Sequence, residues 1–272
     1  MRLSGYQPQY FPRLHYFARI LDSDIFEISD YVQFVKKHAY PGKDGVMKRG
    51  KSYQADTPIK LQGGIHFLTV PVKDGGLLPI NNTPIDYSHG WQEKHLKIIE
   101  SAYKKTPQFQ MLFPSITNLI VKRYESIGHL NIASILFALY VIVNGVPPKK
   151  EITVMEINNV LSGNMHPFRL KKVVFISETP VKQTFGARDA NDWIIDMCKY
   201  FRADEYYFGG TSASAYMNFD KLKSAGIKLA EQNWICKEYF QKSGGDGFIT
   251  NLSILDLLMN ADGNKTREVL LG

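Results

Sequence analysis

Cysteine is nearly absent from this chain. Cys198 and Cys236 are the only two in 272 residues, and their separation offers neither a disulfide framework nor a zinc knuckle. Structural metal and thiol redox chemistry leave the reading with them. Long apolar runs are missing as well: the longest, Ile132 to Val143, is interrupted by Ser134 and falls short of the roughly 20 residues that a membrane span requires. It reads as a buried helix, and no membrane span is expected. The chain opens directly in a strand-like pattern without the basic segment, apolar segment and cleavage site of a secretory signal, so a cytoplasmic protein is expected.

Charge of one sign is only modestly in excess. Lys and Arg number 33 against 26 acids, a formal charge of +7, enough to attract a phosphorylated ligand. Much of it is scattered. The densest run, Gly42 to Lys51, holds four basic residues amid three glycines and reads as a loop rather than a groove-binding helix. No helix-turn-helix signal or aromatic-and-basic RNA-binding strand accompanies it, which argues against nucleic acid as a partner.

What is present is strand, turn and helix in alternation. Arg2 to Pro8 and Asp24 to Asp30 read as strands, and between them Leu14, Phe17, Ala18 and Leu21 give one apolar helix face. Ile65 to Val72 and Val173 to Ser177 read as further buried strands. Helices are expected from about His89 to Pro107, from Ser115 to Ile127 and from Leu130 to Val143. The stretch to Glu178 gives no clear reading. In the last third a helix capped by Asp192 leads to the strand Glu205 to Phe208, then Gly209-Gly210-Thr211-Ser212, a helix from Ala213 to Ser224 and the strand Ile227 to Leu229. An amphipathic helix spans Asn251 to Asn260, and the tail after Gly263 is expected to be loose. The whole implies a single α/β domain over 1–272, Rossmann-like, with a mainly parallel sheet flanked by helices and a helical middle section around 89–145.

Candidate site residues follow from that architecture, because ligands of open parallel sheets sit beyond the carboxyl ends of the strands. Asp30 ends the second strand, where a carboxylate can meet a ribose hydroxyl, act as a base toward an amine, or merely cap the strand. Gln7, at the end of the first strand, can hold a polar substrate edge. Gln33 and Lys36 place an amide and a cation close to Asp30. Gly209 and Gly210, with the hydroxyls of Thr211 and Ser212, can cradle a phosphate or carboxylate at a helix start, or form an ordinary turn; no Walker or GxGxxG pattern is present. Trp91 and His95 are four apart on one helix face, placed either to stack on a sugar beside a general acid or base, or to anchor the core. His15, alone in the first helix, reads as packing rather than catalysis. His89 and His95 are badly spaced for a shared metal and no third ligand is evident, so no metal site is expected.

Several of these segments together resemble the WbqC-like family: Tyr6-Gln7-Pro8-Gln9-Tyr10-Phe11-Pro12 with Tyr16-Phe17, Asp30 to Phe34, Leu68 to Val72, Trp91 to His95 with Tyr103, Gly209 to Tyr216, and Leu252 to Asn260. The resemblance implies a role in bacterial surface-polysaccharide biosynthesis, transferring glycine or a similar group onto the amine of a nucleotide-linked amino sugar. Tyr216, in the matched Gly209 to Tyr216 segment, joins Gln7, Gln33, Lys36 and Trp91 as a substrate-binding candidate, and Asp30 and His95 are the candidate catalytic residues. The alternative is a non-catalytic nucleotide- or sugar-binding module of such a pathway. A weaker similarity to nucleotidylyltransferase-like ligases raises ATP as a cofactor; those enzymes carry two histidines after the first strand, where this chain offers only His15.

Overall fold

In the computed structural model the described residues are 1–37, 39–41, 47–73, 78–163, 165–181, 189–210, 216–242 and 247–272. Five strands form one fully parallel sheet: β1 (Arg2–Tyr6), β2 (Ile25–Ile28), β7 (Lys172–Phe175), β8 (Glu205–Phe208) and β9 (Lys228–Glu231). Their order is β7-β2-β1-β8-β9, with Leu3 opposite both Ile25 and Tyr206. In chain order this is the 3-2-1-4-5 arrangement of a Rossmann-like α/β fold, and the order reverses between β1 and β8.

Helices cover both faces of the sheet. Helix α1 (Leu14–Leu21) buries Leu14, Phe17 and Leu21 in a large core that also holds Phe26, Ile28 and Val173. On the other face Leu3, Ile25, Tyr206 and Phe208 meet α6 (Ala190–Phe201) and α7 (Phe219–Ser224). Between β2 and β7 the chain forms two antiparallel hairpins, β3 (Ala39–Pro41) with β4 (Met47–Arg49) and β5 (Asp56–Leu61) with β6 (Gly64–Thr69). Four helices follow: α2 (Trp91–Tyr103), α3 (Phe109–Val121), α4 (Ile127–Asn144) and α5 (Val154–Gly163). Helix α4 has a mean hydropathy of 1.8 over 18 residues, long and apolar enough to cross a membrane by length and composition alone. Yet 78% of it is buried in the fold, so it packs as a core helix. Its Asn131 donates to the Pro8 and Gln54 carbonyls, tying the loop after β1 to the β5 hairpin.

Four expectations are corrected. The segment Ile65 to Val72 is not a strand buried on both faces; its residues to Thr69 form the half-exposed arm of a hairpin, with Ile65 at the surface. The helix expected from Ser115 to Ile127 begins and ends six residues earlier, as α3 (Phe109–Val121), and α5 fills part of the stretch that gave no reading. Helix α6 is capped by Asp189, whose carboxylate accepts from the Asn191 N–H, and Asp192 lies inside it. After Gly263 the chain is not loose: α9 (Gly263–Leu271) is capped by Asp262 and buries Val269 and Leu270 in the larger core. In chain order β9 is followed by α8 (Ile254–Asn260).

Candidate functional site

The reversal between β1 and β8 opens a cleft of about 610 Å3 beyond the carboxyl ends of the strands. The two crossings meet here. Tyr6, His15 and Arg19 come from the first unit, Gly209 and Gly210 from the second, and Glu231 and Gln232 from the end of β9. Asn251 and Cys236 form part of the wall.

Arg19 is the central feature of this cleft. Its residue is only 5% exposed, yet among the described residues it makes no ion pair. Its Nε and Nη2 donate to Gln232 Oε1 at 3.0 and 2.9 Å, and the guanidinium stacks 4.8 Å from the Tyr6 ring centroid. A buried cation held by a neutral amide and a ring is short of negative charge, which a ligand carboxylate or phosphate can supply. The glycines make room for it. A Cβ on Gly209 would sit 1.9 Å from Arg19 Nη2, and one on Gly210 would sit 2.3 Å from Glu231 Oε1. Gly209→Ala is therefore expected to fold but to push Arg19 off Gln232, weakening anion binding about tenfold while stability changes by about 1 kcal/mol. Calorimetric titration beside a thermal melt checks both; unchanged affinity would show that Gly209 is an ordinary turn residue.

The first turn of α1 is closed to anions. Its Leu14 and His15 N–H groups donate to the Leu252 carbonyl and to Asn251 Oδ1, where a dinucleotide-binding fold would place a pyrophosphate. The loop before it is held rigid. Phe11 adopts a left-handed φ of 38°, its N–H donates to Ser134 Oγ, and its carbonyl accepts from Thr57 and Ser253 hydroxyls.

The other candidates lie elsewhere in the framework. Asp30 is buried, and its carboxylate accepts from Ser177 N–H and Oγ–H at 3.0 and 2.5 Å and from Asn81 Nδ2 at 3.1 Å, clamping the end of β2 to the turn after β7. Gln7 Oε1 accepts from Gln54 Nε2 at 2.7 Å, and that same amide approaches the Gln33 carbonyl. Lys36 and Gln33 are exposed. Trp91 and His95 are core residues rather than pocket walls. The His95 Nε2 donates to the Thr69 carbonyl at 3.1 Å, its Nδ1 accepts from Tyr10 Oη at 3.3 Å, and burial pushes it down to about 4. Tyr216 is half exposed, and its carbonyl accepts from Asn191 Nδ2. Thr211 and Ser212 lie outside the described residues. Among the described residues no three His, Cys, Asp or Glu side chains are placed to hold a metal.

Sequence reasoning passed over Arg19, Glu231, Gln232 and Asn251. One local signal was available: His15 and Arg19 are four apart, so they share a face of α1 at the end of the first strand.

No curated protein and no solved structure matches this chain. Its sequence matches the WbqC-like protein family over residues 7–268, a span that includes every lining residue named above except Tyr6. The chain belongs to the WbqC-like protein family.

Proposed function

We propose that the protein is a cytoplasmic acyl or aminoacyl transferase, or an amide ligase, that joins a glycine-like group to the amine of a nucleotide-linked amino sugar in surface-polysaccharide biosynthesis. One observation carries this reading: opposite charges flank two adjacent glycines at the strand reversal, Arg19 against Gly209 and Glu231 against Gly210. A guanidinium fork takes a carboxylate, and the acid beside it takes an ammonium, so the pair suits an amino acid lying across the bare backbone. Amide formation from a free carboxylate requires activation, which ATP or an activated donor would supply. Because the first turn of α1 is filled, an ATP phosphate would take the Gly209–Gly210 side of the cleft.

The experiment is product formation. Purified protein with glycine, ATP and nucleotide-linked amino sugars is expected to give a product heavier by one glycyl residue in mass spectrometry, and Glu231→Gln is expected to lower its rate about tenfold or more. Saturable binding of the sugar nucleotide without any product, with ATP or with a thioester donor, would instead establish the non-catalytic binding module.

A further inference from the structure

His15 stands on the cleft wall one helical turn from Arg19, and its surroundings fix which ring nitrogen holds the proton. Asn251 Oδ1 accepts the His15 backbone N–H at 3.0 Å, so the atom at that position is the amide oxygen and not the nitrogen. The same oxygen lies 3.1 Å from His15 Nδ1. An oxygen acceptor there requires Nδ1–H as the donor, which leaves Nε2 of the neutral ring with a bare lone pair. Among the described residues Nε2 has no hydrogen-bond partner, and His15 lines the cleft. The arrangement is held at both ends. Gln232 Nε2 donates to the His15 carbonyl at 2.8 Å, Arg13 Nη1 donates to the Asn251 carbonyl at 3.0 Å, and Asn251 is kept at a left-handed φ of 55°.

We propose that His15 Nε2 is the proton acceptor of the cleft, taking a proton from the amine of the incoming amino sugar; this rests on the transfer reading above. The amine nitrogen attacks the acyl carbon of an activated donor, an acyl phosphate anhydride or a thioester. The new C–N bond takes the nitrogen lone pair, the carbonyl electrons move to oxygen, and one N–H proton passes to His15 Nε2. Return of those electrons expels the phosphate or thiolate, and the imidazolium gives its proton to solvent or to the leaving group. Burial, then the charges of Arg19 and Arg13, push His15 down to about 4, so the ring is neutral near neutral pH and is a weak proton acceptor until those charges are offset. The charged and titratable groups around it are Arg13 just before α1, Arg19 on α1, Tyr6 at the end of β1, Glu231 at the end of β9, and Cys236 behind Asn251. A donor carboxylate or phosphate on Arg19 offsets part of that positive charge, making the ring more basic once the donor is bound.

Two measurements decide the proposal. In a proton–nitrogen correlation spectrum of protein carrying heavy-nitrogen-labelled histidine, with His15 assigned by its loss in His15→Gln, the ring is expected to show Nδ1–H and a bare Nε2. Glucosamine is expected to shift that Nε2 signal and N-acetylglucosamine, whose amine is capped, to leave it in place. An Nε2–H tautomer, or no response to glucosamine, overturns the assignment even if product forms. In the product assay His15→Gln is expected to lower kcat about 100-fold with KM for the donor nearly unchanged. Asn251→Gly, which keeps the positive φ but frees the ring tautomer, is expected to lower kcat about tenfold. Full activity of His15→Gln would sink the proton acceptor and leave the transfer reading standing. A glucosamine response with no product under any donor would overturn the transfer reading and the proton transfer with it, leaving only the tautomer and the amine contact.

Discussion

Arg19→Met is expected to cost the cleft 100-fold or more in affinity for its anionic ligand while leaving the melting temperature level or higher. The two halves of this expectation have one cause. Removing a guanidinium from water costs several kcal/mol, and here the return comes from a neutral Gln232 oxygen and the Tyr6 ring rather than from an acid. A Met side chain of similar length fills the same space without that cost, and replacing buried charges by apolar groups can stabilise a fold by about 1–4 kcal/mol. Against this stands the Gln232 oxygen left without its donor, worth about 1–3 kcal/mol. The balance is near zero or favourable. Ligand binding has no such offset, because truncating one partner of a buried charge pair costs about 2–5 kcal/mol. Arg19→Lys, which keeps the charge but loses the fork, is expected to fall between wild type and Met. Calorimetric titration with the sugar nucleotide and with glycine, beside thermal melts, gives both numbers. A loss of more than about 2 kcal/mol of stability with affinity intact would make Arg19 a structural residue.

This pairing of a stable scaffold with a charge-starved cleft explains which parts were legible in the sequence. The outer units were readable because β1, β2 and β8 are short strand-like segments that each end at a turn, and the reversal point follows once two such units share a sheet. The hairpin of β5 and β6 was not recognised, because Ile65, Phe67 and Leu68 read as a continuous apolar run. The turn was nevertheless written there: Gln62-Gly63 joins Leu61 to its partner Gly64, which takes a φ of 104°. Helix α9 was also marked, by Asp262 as cap and by Thr266, Val269 and Leu270 at helical spacing. The cleft was a different matter. Arg19 meets Gln232 and His15 meets Asn251 across more than two hundred residues of chain, and no local pattern announces a contact of that range. Asp30 and His95 drew attention as ionisable groups near strand and helix ends, but three donors satisfy the first and both ring nitrogens of the second are taken. A side chain whose hydrogen bonds are complete has less to offer a ligand than one such as His15, which keeps a lone pair open.

Stability is expected to carry two opposed pH arms from buried groups, an acid arm that rises up to about pH 6.5 and an alkaline arm that already falls from about 4.5 upward, the two offsetting each other where they overlap. On the acid side stands His95. Its unfolded ring binds a proton below its ordinary 6.5, whereas burial holds the folded ring neutral down to about 4. Its stabilisation is therefore complete above 6.5 and is lost as pH falls toward 4, amounting to roughly 3 kcal/mol at about 1.4 kcal/mol per unit. On the alkaline side stands Glu27, 1% exposed on β2, with a single hydrogen bond from Ser29 Oγ and a buried Oε1 that has no partner. Burial, helped by the charge of Asp30 and opposed by the Ser29 bond, raises its carboxyl well above 4.5. The unfolded chain gives up this proton first. The contribution of Glu27 is thus whole below 4.5 and declines by about 1.4 kcal/mol per unit as pH climbs toward its folded value. Two substitutions separate the arms. His95→Gln can still donate to Thr69 and accept from Tyr10, and is expected to flatten the acid arm alone; Glu27→Gln cannot ionise, and is expected to flatten the alkaline arm and raise stability at neutral pH. Urea midpoints measured across the pH range test both, and a Glu27→Gln curve parallel to wild type above neutrality would mean that Glu27 is already ionised in the folded protein.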